Sequence, residues 1–179
     1  GHCRHGPRRR TRARTAYGCC MNELLAIQTV GTLAEGAGGP TRTVSSLCAA
    51  LVRTDISVEL VAGWHRHAGP CIAPQSNALV VREVEAVRRF GFTRYPQFGA
   101  AIAAACAAHP GALALVHDNG IWGGSNVAAI GAAQRLGLPS FLSPPAMLKA
   151  WAVAYPSARE KIAGCASQRR VPAGSAALV

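Results

Sequence analysis

Two short stretches of this chain combine residue types that do chemistry: the loop Gly31 to Pro40, GTLAEGAGGP, and the run His117-Asp118-Asn119-Gly120-Ile121-Trp122. The loop stands between an apolar run, Leu24 to Val30, and a segment in which Val44, Leu47, Cys48, Leu51 and Val52 recur with the stripe of an amphipathic helix. Pro40 suits a first helical turn, where a missing donor is tolerated, so a helix is expected to begin near Thr41. Its first amides have no intrahelical acceptor and its dipole is positive there, while Gly36, Gly38 and Gly39 leave room for close approach. The chemistry is anion binding, with phosphate as the natural guest. The plainer reading is a glycine-rich turn that lets a strand pack on a helix.

Two specific phosphate motifs fail. A P-loop needs Lys and Ser or Thr after its second glycine, but Gly36 is followed by Ala37 and Gly38. A dinucleotide fingerprint needs a third glycine where Thr41 stands, and no carboxylate follows the apolar run Ile56 to Ala62 to hold a ribose. Gly63-Trp64-His65-Arg66-His67 follows instead, and an NADP site using Arg66 is the weaker alternative it leaves.

The elements that would position these stretches alternate. Leu79 to Arg82 is a short strand, Gln97 to Ala108 an alanine-rich helix with Phe98, Ile102, Ala105 and Cys106 inward, and Leu113 to His117 a buried strand. Gly123-Gly124 precedes Ser125, the expected N-cap of a helix Asn126 to Leu136 ended by Gly137. Pro139 to Ser143 returns as a strand, Ser157 and Glu160 have capping-box spacing for a helix reaching about Gln168, and Ala176 to Val179 starts a last strand. Strands separated by helices at these lengths predict an α/β fold, a Rossmann-like doubly wound and mostly parallel sheet. Both glycine loops and His117 then fall at strand carboxyl ends, where one crevice collects them.

Composition bounds the reading. With 179 residues, half of them hydrophobic, the chain fits one α/β domain with a substantial core. The net charge of +11 is concentrated: Arg4, Arg8, Arg9, Arg10, Arg12 and Arg14 supply six positive charges. Residues 1–20 hold no acid and no apolar period, so they read as a basic disordered extension before a domain at 21–179, and as an upstream translated stretch ahead of Met21. The body lacks interleaved aromatics or a nucleic-acid motif, so no specific nucleic acid is expected. Seven cysteines without a C-x-x-C pair argue against a metal or disulfide framework and for a reducing cytoplasm. Phe98 to Val116 is long enough for a membrane span, but His109-Pro110-Gly111 cuts it into helix, turn and strand. Peripheral contact with a membrane through basic residues is compatible with the charge.

Taken in order, Gly38-Gly39-Pro40, then His117 to Trp122, then Arg135-Leu136-Gly137-Leu138-Pro139, then Ser143-Pro144 with Met147-Leu148 and Trp151-Ala152, resemble family 4 glycosyltransferases of bacterial polysaccharide biosynthesis. The likeness covers about Asn22 to Val179, including Gln168-Arg169-Arg170 and Ala177-Leu178-Val179 at the end of the first domain. It implies one half of a GT-B architecture, the N-terminal acceptor-side domain of a retaining enzyme. Such an enzyme moves a sugar from a nucleotide-sugar to a saccharide or lipid-linked acceptor, usually without a bound metal or other cofactor. The family's second domain carries a pair of glutamates eight positions apart, and no two glutamates here have that spacing, so this chain is expected to be inactive alone.

The resemblance carries over few residues. Gly38 and Gly39 match the loop that approaches the donor diphosphate or the acceptor, and His117 matches a strand-end histidine that orients the transferred sugar. Family members often have a second histidine where Asn119 stands. Asp118 is a secondary candidate for sugar hydroxyls, against an ordinary exposed Asp opening a turn, and Trp122 offers an apolar face to a sugar, against packing beneath the second glycine loop. Pro145 and Ala146 replace the Arg-Gly that commonly follows Ser-Pro in the family, removing a cation. The different-class alternative is a noncatalytic nucleotide- or phospholigand-binding module.

Overall fold

The computed structural model describes residues 23–66, 69–73, 76–120 and 123–143, and the backbone of Ala177–Leu178. In chain order the elements are β1 (Leu24–Val30), α1 (Gly39–Leu51), β2 (Ser57–Trp64), β3 (Val80–Glu85), β4 (Val87–Arg89), β5 (Phe92–Arg94), α2 (Phe98–Ala108), β6 (Leu113–Asp118), α3 (Gly124–Arg135), β7 (Ser140–Leu142) and β8 (Ala177–Leu178). The expected helix at Ser157 and Glu160, together with Trp122, Met147, Leu148 and Trp151, lies outside the described residues.

Six strands form one sheet in the order β3-β2-β1-β6-β7-β8, and every pair in it is parallel. The chain winds outward from β1 through β2 to β3, then returns to the other side of β1 and winds outward again through β6. This is the doubly wound, Rossmann-like arrangement expected from the alternation, with its switch point between β1 and β6. β1 and β2 are interior strands and nearly continuously buried because helices cover both faces of the sheet.

Two apolar clusters divide the sheet faces. Leu25 and Ile27 of β1 join Val61, Phe98, Ile102, Val116, Ala129 and Ala133 beneath α2 and α3. Val30 of β1 joins Val44, Cys48, Val58, Leu60 and Ala62 beneath α1. Right-handed crossovers in opposite directions from the switch point require this split. Cys48 is fully buried, as its place in the helical stripe predicts, and Cys106 is half-buried.

Three local readings change. α1 starts at Gly39, two residues before Thr41, because Pro40 sits inside the first turn and Gly38 serves as N-cap. α3 takes Gly123, not Ser125, as its N-cap: the Asn126 side chain reaches back and its Oδ1 accepts the Gly123 N–H at 2.9 Å. That leaves Ser125 within the first turn, its side chain packed toward Gly31. The strand read as Leu79 to Arg82 runs from Val80 to Glu85, and an antiparallel hairpin, β4–β5, follows it.

Candidate functional site

The carboxyl ends of β1 and β6 meet at the switch point, and polar side chains are planted there inside apolar strands. Gln28 and Thr29 precede the end of β1, and both are buried. Thr29 Oγ1 donates to Asp118 Oδ1 at 2.5 Å, and Asn126 Nδ2 donates to Asp118 Oδ2 at 2.6 Å. Asn119 Nδ2 lies within donating distance of Gln28 Oε1 (3.0 Å), His117 O (3.1 Å) and Thr29 O (3.3 Å). The network fastens β1, β6 and the start of α3 to one another.

Asp118 is therefore neither exposed nor opening a turn. It is fully buried, and burial pushes its carboxyl up to about 6 despite the two donors, which act in the opposite direction. Asp118 and Asn119, both candidates for ligand contact, lie buried at the floor of the crevice. The reason is strand parity: Asp118 follows Ala114 and Val116 onto the α3 face, where the Asn126 amide awaits it.

His117 has the opposite parity. Its register partner on β1 is Gln28, which alternates with Val30 toward α1, so the imidazole lies on the face that α1 covers. His117 is half-buried, and Nε2 stands 2.7 Å from Ser143 Oγ. Ser143 is itself fixed, its N–H donating to Asp118 O at 2.9 Å. Nδ1 has no partner among the described residues. Burial holds the ring below the usual imidazole range, so it is neutral at pH 7 and can donate through one nitrogen and accept through the other.

The first glycine loop lies on the same face and at the same end of the sheet. Gly38 has φ 88° and ψ −150°, a conformation that essentially only glycine adopts, and it turns the chain from the short 3-10 turn Glu35–Ala37 into α1. Gly39 is exposed, and the N–H groups of Gly39 and Thr41 have no intrahelical acceptor. Arg42, one turn in, is exposed and has no carboxylate partner among the described residues. It adds a cation that the sequence reading missed, although a basic residue just after a glycine-led helix start was the available signal.

The second glycine loop behaves differently. The Thr93 carbonyl of β5 packs directly against Gly124, leaving no room for a side chain there. Tyr95, just beyond β5, donates through its hydroxyl to Gly31 O at 2.9 Å and stands 3.3 Å from His65 Nε2. The hairpin thus roofs the start of α3, and the open helix terminus at the crevice is that of α1. Arg66, the candidate for an NADP phosphate, is in an exposed ion pair with Glu85 at 3.5 Å.

The described residues contain no group of three or more His, Cys, Asp or Glu side chains able to hold a metal, and no helix among them is long and apolar enough to cross a membrane. No protein-family model matches the chain, and no curated protein matches it.

Proposed function

We propose that this chain is the N-terminal, acceptor-side domain of a retaining glycosyltransferase of GT-B architecture, acting in polysaccharide assembly at the cytoplasmic face of a membrane. The observation that carries the reading is the placement, on one face and at one end of the sheet, of an open helix terminus at Gly38-Gly39 and a neutral, half-buried His117 whose Nδ1 has no partner among the described residues. Anionic diphosphate suits the first and a sugar hydroxyl the second. Ser143, itself held by the Asp118 carbonyl, orients the imidazole, and Asn119 Nδ2 fixes the His117 backbone carbonyl.

In this reading a second α/β lobe supplies most contacts to the nucleotide-sugar, the α1 terminus and Arg42 offset charge developing on the departing diphosphate, and His117 orients the sugar for attack by the acceptor hydroxyl. Closure of the two lobes excludes water. The test is transfer from nucleotide-sugars by the full reading frame. Retained anomeric configuration, with His117→Ala lowering kcat at least tenfold at unchanged Tm, supports the reading; equal loss of folded protein assigns His117 a structural role.

The open α1 terminus alone also favours a second reading, a noncatalytic module for a phosphate-bearing ligand. Saturable nucleotide binding with no transfer by the full reading frame would select it. The oxidoreductase alternative would place an NADP phosphate at Arg66, which pairs with Glu85 at 3.5 Å on the surface, and tight NADPH binding by this chain would select it.

A further inference from the structure

The β4–β5 hairpin presents a surface that the crevice does not use. Its two-residue turn, Phe90-Gly91, has φ 50° at Phe90 and 79° at Gly91, the positive pair of a type I′ turn. Asn or Gly takes the first of these positions without strain, whereas a bulky aromatic there is a conformational outlier. Phe90 is nevertheless 85% exposed at the apex. Behind it, cross-strand pairing sets Arg89 opposite Phe92 and Val87 opposite Arg94, so an exposed face alternates apolar and cationic groups. The Arg89 guanidinium sits 5.2 Å from the Phe90 ring centroid, and Arg88, Arg89 and Arg94 have no carboxylate partner among the described residues. The acids preceding the hairpin stay on β3, with Glu85 held by Arg66.

We infer that the β4–β5 hairpin docks the protein on an anionic lipid surface, with Phe90 entering the acyl boundary and Arg88, Arg89 and Arg94 meeting lipid phosphates. The order of groups along the protrusion decides the partner. A bilayer is apolar inside and anionic outside, matching an aromatic tip backed by cations, whereas a nucleic acid presents its phosphates outermost. The hairpin is rigidly mounted, through Thr93 against Gly124 and Tyr95 against Gly31, so docking sets the crevice beside the headgroups. This deepens the membrane-side location of the proposed function, but the hairpin's chemistry stands independently of sugar transfer.

Flotation of the full chain with phosphatidylcholine vesicles, with and without phosphatidylglycerol, tests it. Wild-type protein should float with the anionic vesicles, and Phe90→Asn, which relieves the turn, should lower the partition coefficient about tenfold. Arg89→Gln with Arg94→Gln should lower it roughly twenty-five-fold, at about fivefold per arginine. Phe90→Gly is the second variant should the Asn protein misfold, and the basic residues 1–20 contribute equally to every variant. Wild-type partition by both Phe90 variants, or a larger effect of Phe90→Asn on single-stranded RNA binding than on vesicle binding, overturns the inference. Nucleotide-sugar binding and transfer to a soluble acceptor report on the other reading and should not change in Phe90→Asn.

Discussion

Thr29 at the end of β1 and Asp118 at the end of β6 share a 2.5 Å hydrogen bond that closes the sheet at the point where its winding reverses. Strands diverge around a switch point, and buried polar groups there are stable only when every donor and acceptor is matched. Asn126 completes the match from α3 at 2.6 Å.

A pH signature follows from this pair. Asp118 has a carboxyl raised from 3.8 to about 6, so the folded state holds its proton more tightly than the unfolded chain does. The resulting stability is fully present below pH 3.8 and is lost as pH rises through about 6, an effect on the order of 3 kcal/mol. Urea denaturation should show wild-type stability falling across that window relative to Asp118→Asn. The same slope in both proteins would assign the titration elsewhere.

Glu59 is a buried carboxylate on β2 that accepts from Nε and Nη2 of Arg82, with His109 Nε2 at 3.2 Å. Removing its main cation strands a charge. Arg82→Met should destabilise by about 3 kcal/mol, at the lower end of the range because Arg82 retains some solvent contact, and Glu59→Gln in the same protein should recover much of the loss. A chevron or equilibrium double-mutant cycle measures the coupling.

The backbone at Gly38 gives a third expectation. Gly38→Ala meets no neighbour but must adopt φ 88°, so it should cost about 1–3 kcal/mol in Tm-derived stability and weaken inorganic phosphate or nucleotide binding at α1. Gly36→Ala, also unobstructed and without a positive φ, is the control expected to leave both nearly unchanged.

Periodicity revealed the sheet and its helices because burial on a face imposes a repeat, as at Val44, Cys48 and Leu51 of α1 or Phe98, Ile102 and Ala105 of α2. The hairpin was not legible: its strands have three residues each, nearly every side chain is exposed, and Phe90-Gly91 lacks the Asn-Gly signal of its turn. The position of the glycine loop and His117 at strand carboxyl ends was legible. Their support was not, since Asn126, Ser143 and Tyr95 act across many residues of chain, and only polar Gln28 and Thr29 inside an apolar run hinted at it. Ser125 was misread because a serine before a helix is a good cap by type, while Asn126 caps by reaching backward.

Gly63 sits near the end of β2, at the rim of the sheet. A methyl group there would overlap both the Gly31 carbonyl oxygen and the Tyr95 ring, so the seam between the first two strand tips admits no ornament. Side-chain variation at this end of the sheet has room instead in the exposed 35–39 segment, where a Cβ at Gly36 or Gly39 would meet nothing within 4 Å, while the masonry beneath stays fixed.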